Sequence, residues 1–199
     1  MAIQTFLNFL SACTSMYSFV SLDQSQRKIV FYSEDAHSMV HFEEIIRCLV
    51  DQYGEEICYL TSDREDPILK NYHPKVKPFY VGHGLVRTLL FLKMNADLMI
   101  MTLAGLETTY LKRSKVYPVH YLYMFHAMVS SHSTYRKGSF DNFDTIFCTG
   151  PYHIHEIRET EKIYGLPKKE LIEVGYGKLE TLMKEWEVHQ KKSTTLSSG

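Results

Sequence analysis

The chain of 199 residues lacks an excess of either charge: 22 Lys and Arg face 23 Asp and Glu, for a formal net charge of -1. No global basic field exists to collect nucleic acid or anionic lipid, so no nucleic-acid partner is expected and any anion site must be local. Cysteine is sparse. The four residues Cys13, Cys48, Cys58 and Cys148 form no CxxC pair, which argues for buried thiols in a reducing, cytoplasmic compartment. Ten histidines are present, yet none belongs to an HExxH motif or a structural-zinc spacing, so no metal and no cofactor are expected. His37 and His41 are an i,i+4 pair near a helix start, the one spacing that could bind a metal, whereas His153 and His155 do not share a helix face. A Gly-x-Ser-x-Gly elbow is missing, which removes support for a serine hydrolase. The first 22 residues carry no charged side chain. Without a positive n-region, and with Gln4, Thr5 and Asn8 interrupting the apolar stretch, export is not expected despite a lipoprotein-like Leu10-Ser11-Ala12-Cys13. The same stretch is too short and polar to span a membrane. It reads as a packed or interfacial amphipathic helix with Phe6, Leu7, Leu10 and Tyr17 on one face.

What is present is regular alternation. Short apolar runs at Lys28–Tyr32, Ile57–Leu60, Phe79–Val81, Asp97–Leu103, Val119–Phe125, Thr145–Thr149 and Leu171–Val174 read as buried strands. Helical spacing appears between them: Phe42, Ile45, Ile46, Leu49 and Val50; Leu85, Leu89 and Leu92; Ile154 and Ile157 after Pro151; and Leu179, Leu182, Met183 and Trp186. The pattern predicts an α/β fold, a Rossmann-like doubly wound domain with a mostly parallel sheet and helices on both faces. We expect an N-terminal helical segment over 1–26, the Rossmann-like domain over 27–188 and a disordered tail over 189–199.

Chemistry in such folds gathers in loops at the carboxyl ends of strands. The richest one follows the fifth predicted strand, where His126, Ser130, Ser131, His132, Tyr135 and Arg136 crowd a short segment. A neutral imidazole there could accept a proton from a substrate hydroxyl, and Arg136 with the neighbouring hydroxyls could hold an anion. The bland alternative is a histidine satisfied by backbone inside a solvated loop. Ser33 and Glu34 follow the first strand, and Glu107, Lys112 and Arg113 the fourth, on the same inferred edge. Two glycine turns open helices and are possible anion cradles: Gly82-His83-Gly84, whose third fingerprint position is Arg87, and Thr149-Gly150-Pro151. Each is equally readable as a structural turn.

Several stretches together carry a likeness: KIVFYSED (28–35), HFEEIIRCL (41–49), CYLTSD (58–63), DLMIMTL (97–103), LETTYLKRS (106–114), VHYLYMFHAMVSSHSTYR (119–136), FDNFDTIFCTGPYHIHEIRE (140–159) and YGLPKKELIEVGYGKLETL (164–182). In order and spacing, the run from Arg27 to Leu182 resembles the N-terminal half of the CDP-glycerol glycerophosphotransferase family. These are polymerases and primases of teichoic-acid-like and capsular polymers. The resemblance implies one half of a GT-B-like architecture. It implies that His126 is the base toward an acceptor hydroxyl, and that a C-terminal half, not among these residues, binds a CDP-activated polyol donor. The family's Trp-His-Gly-Thr-Pro context is here Phe125-His126-Ala127-Met128-Val129, so the polyol and acceptor are not specified.

On this reading Ser130, Ser131, His132, Tyr135 and Arg136, with Lys112, Arg113, Ser33 and Glu34, form the acceptor side. Polyol phosphate passes to a phosphorylated or lipid-linked polymer and CMP leaves. The expected location is the cytoplasm, with peripheral contact at the inner face of the cell membrane. A GT-B sugar transferase or sugar-nucleotide epimerase half would share the scaffold, as would a non-catalytic ligand-binding module.

Overall fold

The computed structural model describes residues 2–70 and 72–196. Seven strands form one sheet: β1 (Ile29–Ser33), β2 (Ile57–Thr61), β3 (Val76–Tyr80), β4 (Leu98–Met101), β5 (His120–Met124), β6 (Thr145–Cys148) and β7 (Glu170–Glu173). Every pairing is parallel, in the order β3-β2-β1-β4-β5-β6-β7. All seven predicted strands are present, and the fold is α/β and Rossmann-like. The order reverses between β1 and β4, so a crevice opens there at the carboxyl edge.

Alternation along the strands divides the core. Val30, Tyr32, Cys58, Met99 and Tyr121 face one side, where α1 (Ala2–Val20), α3 (Leu85–Leu92) and α5 (Pro151–Tyr164) lie, with the four-residue α4 (Ser131–Thr134) against α5. Phe31, Tyr59, Ile100 and Leu122 face the other, under α2 (Met39–Arg47). Phe42 and Ile46 are one turn apart on α2 and fully buried, with the Phe42 ring edge-on to Phe31 at 5.2 Å. Truncating such a side chain to alanine costs about 3–5 kcal/mol. The helical spacing that runs on past α2 is a π-helical turn, Cys48–Gln52, which buries Val50. Proline at its first turn and Gly165 at its end bound α5, as the sequence expects. Burial pushes the Cys58 thiol up to about 12 and the Cys148 thiol to about 11, so both stay protonated.

One expectation narrows and one changes. Phe6, Leu7, Leu10 and Tyr17 do share a face of α1, but that face is exposed; Ala12, Met16 and Phe19, on the opposite side, pack onto the domain. Ala12 packs with Tyr80 and Val86, and the Phe19 ring meets Phe79 of β3 edge-on at 5.5 Å. The last helix, α6 (Gly177–Leu196), runs into the segment expected to be disordered, because no glycine or proline interrupts it before Gly199. Residues 197–199 lie outside the described residues. The stripe Leu179, Leu182, Met183 and Trp186 on α6 faces outward, with Trp186 64% exposed. No described helix is long and apolar enough to cross a membrane.

Candidate functional site

β5 delivers Phe125 and His126 to the carboxyl edge. Phe125 is buried in an aromatic nest, and His126 emerges half-buried just beyond it. The imidazole Nδ1 is enclosed with no hydrogen-bond partner, and among the described residues no group bonds the other nitrogen either. Burial pulls its pKa below the ordinary histidine value, with the Asp35 carboxylate opposing weakly.

Three elements converge on this ring. α2 brings His41, whose ring centre lies 5.6 Å from that of His126. Burial, then the neighbouring His126 and Lys178, hold His41 down to about 4. The turn between β7 and α6 brings Tyr176, whose hydroxyl donates to the His126 carbonyl oxygen at 3.0 Å and whose ring stacks on His41. Gly175 makes that turn possible with φ +75°, a conformation a side chain would strain. Asp35, after β1, accepts the N–H groups of His37 and Ser38 and so starts the helical turn leading to α2. Together His41, Glu44, Tyr176, Lys178 and strand-end residues such as Phe125 line a hollow of about 160 Å³. Both imidazoles are neutral at pH 7, so the hollow can take up a proton without first discarding one.

The remaining residues of the predicted cradle are dispersed. The Ser131 N–H donates to Glu156, which also holds the Ser130 and Ser131 hydroxyls. Tyr135 bonds the Tyr123 hydroxyl at 3.2 Å and packs on Phe140. Ser131, His132, Tyr135 and Arg136 line a second hollow, between their own segment and α5. Arg113 grips Asp144 through both terminal guanidinium nitrogens, at 2.9 and 3.1 Å, and donates to the carbonyls of Asn142 and Val119. Those partners precede β5 and β6, at the amino edge, because the 102–118 connection crosses the whole sheet before β5 begins. Lys112 follows it and caps the Glu107 carbonyl at 2.6 Å. Neither residue joins His126.

Ser33 is fully buried and turns back to the Asp35 carbonyl. Glu34 bonds Tyr110 and lies 3.6 Å from Arg87, which is itself bonded to Tyr32 and to the His83 carbonyl. The network is buried at Tyr32 and Arg87 and open to solvent at Glu34 and Tyr110, beyond the carboxyl end of β1. The Gly82 carbonyl accepts the Ser62 hydroxyl at 2.7 Å, and Gly82 to Gly84 lie under Asn8 and Phe9 of α1. At Gly150 the α5 entrance is closed by its own residues: His153 Nδ1 faces the Thr149 N–H at 3.4 Å, and Nε2 donates to Val129 at 2.7 Å. His153 is therefore a structural histidine, both nitrogens engaged, stacked 3.7 Å from Phe125. Among the described residues no group of His, Cys, Asp and Glu could hold a metal, and His37 and His41 part company, the first exposed and the second turned to His126.

His41 and Tyr176 were not singled out from sequence for this site. The Val-Gly-Tyr-Gly stretch, a tyrosine bracketed by glycines at a strand end, is the signal that could have found Tyr176. Compared with known proteins, the chain matches no protein-family profile, no curated protein and no solved structure.

Proposed function

We propose that this chain is the acceptor-binding half of a CDP-glycerol glycerophosphotransferase-like enzyme. The observation that carries the reading is His126: a desolvated imidazole with neither nitrogen in a hydrogen bond, beside a hollow at the carboxyl edge. The sequence likeness across 27–182 and the Rossmann-like fold support it. An acceptor hydroxyl would lie against His126, which takes its proton as the oxygen attacks the phosphorus bearing the polyol. That P–O bond forms, the P–O bond to CMP breaks, and CMP departs with the electron pair. The donor CDP-polyol would come from a C-terminal half. Catalysis would rest on positioning and on a base that is unprotonated at working pH. Lys178 lines the same hollow and is the nearest candidate to counter an acceptor phosphate, in place of Lys112 and Arg113. The uncharged outward face of α1, with Phe6, Leu7, Leu10 and Tyr17, is the surface through which a membrane carrying a lipid-linked acceptor would be met.

The test is turnover of CDP-glycerol by this chain joined to a donor-binding half, with CMP as the measured product. Release of UDP from a UDP-sugar in the same assay, with no CMP from CDP-glycerol, would reassign the chain to a sugar transferase or epimerase. Binding of acceptor without turnover of any donor would make it a module.

A further inference from the structure

We propose that the hollow between the 131–141 segment and the second half of α5 binds a small organic phosphomonoester, with Lys169 as the central phosphate ligand. This goes beyond the transfer chemistry, and it stands whether or not His126 acts as a base.

Lys169 is only 7% exposed, yet among the described residues its ammonium has neither a hydrogen bond nor an ion pair. The Lys169 stem is enclosed while its ammonium keeps an opening into the hollow, where an anion can meet it without displacing a protein partner. Its placement is enforced. Glu161 accepts the Lys169 N–H at 2.8 Å, and Arg158 donates to the Lys169 carbonyl at 2.9 Å. Glu161 and Arg158 are themselves paired at 2.6 Å, so the carboxylate is neutralised by Arg158 and not by Lys169.

Two further cations stand at the same hollow. The exposed Arg136 has no side-chain partner among the described residues, and the Lys137 ammonium sits 3.8 Å over the Tyr164 ring. Ser139, also nearly buried, adds a hydroxyl whose oxygen makes no hydrogen bond. Asp141 is the one acidic side chain in the wall besides the neutralised Glu161. Three cations against one unpaired carboxylate suit a dianion, and a phosphate's three terminal oxygens can meet an ammonium, a guanidinium and a hydroxyl together. Phe140, Ile157 and Leu166 supply an apolar wall for the organic part. A volume of about 180 Å³ limits that part to a small group.

The full chain is titrated with inorganic phosphate and with phenyl phosphate, followed by calorimetry and by amide chemical shifts. The expected result is saturable binding, with phenyl phosphate tighter and with shifts confined to 131–141 and the second half of α5. Lys169→Met is expected to weaken binding by about tenfold or more, the scale of one charge-assisted hydrogen bond, and Arg136→Gln by a smaller factor. Lys162→Met, at a surface lysine of α5 that does not line the hollow, is expected to leave it unchanged. Absence of saturable binding, shifts at the His126 hollow instead, or equal effects of the two lysine substitutions would overturn the proposal. Phenyl phosphate binding no tighter than inorganic phosphate would overturn the organic-ester part. If Lys169→Met fails to fold, the exposed Arg136→Gln decides the matter, since loss of affinity there supports the site and unchanged affinity removes it.

Discussion

The two ends of one short segment, His126 and Arg136, lie at different hollows with opposite electrostatics: His126 sits next to the one lined by His41 and Tyr176, and Arg136 lines the other. At the His126 end, burial disfavours charge, and imidazoles that would titrate near neutrality are held neutral. At the Arg136 end the lining carries a guanidinium and two ammonium side chains, Arg136, Lys137 and Lys169, against Asp141 and the paired Glu161. Desolvation makes the first hollow a place to receive a proton. Unmatched charge makes the second a place to receive an anion. His153 sharpens the contrast, since it is fully buried but saturated by Thr149 and Val129 and is therefore available for neither task.

The sharpest way to break this comparison is His126→Ala. In an enzyme combining this chain with a donor-binding half, turnover is expected to fall by about 10²–10⁴-fold, the usual size of a general-base loss. Phosphate binding at the Lys169 hollow should not change. Near-wild-type turnover would remove His126 from the chemistry, and a parallel loss of phosphate binding would show that the two hollows act as one.

Arg113→Ala asks whether the residues we first placed beside His126 serve the fold alone. Its bidentate grip on Asp144 and its bonds to two carbonyls pin the long connection before β5. The pair is partly exposed, so a loss of about 2 kcal/mol in urea unfolding is expected, below the figure for a fully buried pair. Acceptor affinity measured on the folded fraction should stay as it was. A specific loss of acceptor binding without loss of stability would return Arg113 to the site.

These placements show what a linear pattern can carry. The central strands were legible because a continuous apolar run such as Ile57–Leu60 has one stable location in a parallel sheet, buried on both faces, whereas the edge strand β7 is largely exposed and was marked only by its short Leu171-Ile172 pair. The parallel pairing, though not the strand order, followed from the helical spacing found between most of these runs. His126 was legible because it directly succeeds such a run. Its neighbours were not, since periodicity reports burial along an element and says nothing of where a loop turns next. The chain after Thr102 carries Tyr110 to Glu34 at one edge and Arg113 to Asp144 at the other, though the two residues are three apart. Likewise His41 meets His126 only through the packing of α2. Lys169 becomes visible only when burial is set against its missing partner.

Acid should bring the next largest effect. His41 titrates at about 4 in the fold against an ordinary value of 6.5. Between those values the unfolded chain binds a proton that the folded chain excludes, so stability rises with pH across the window and is lost as pH falls from 6.5 toward 4. His126, also lowered, adds to the same slope. The contribution is on the order of 1–2 kcal/mol after allowance for the ring's partial exposure. Melting temperatures of wild type and His41→Gln between pH 7 and pH 5 (about the range above carboxylate titration) provide the check. The wild-type slope should exceed that of the variant. Parallel curves would mean that His41 is not held neutral by its surroundings, and the proton-receiving character of the hollow would then rest on His126 alone.

The smallest effect is expected at Tyr176→Phe. The substitution removes one hydroxyl, which donates to the His126 carbonyl, and keeps the ring against His41. One hydrogen bond of this kind contributes about 0.5–1.5 kcal/mol, so turnover should drop only a few-fold. The pH dependence is the more telling readout. Burial, not Tyr176, depresses His126, so the acid limb of the rate profile should keep its midpoint while its height falls. That outcome would make Tyr176 a positioning residue that steadies the strand end. A shifted midpoint would instead mean that the hydroxyl reaches the imidazole during the reaction, and that the hollow's proton chemistry is shared between two side chains.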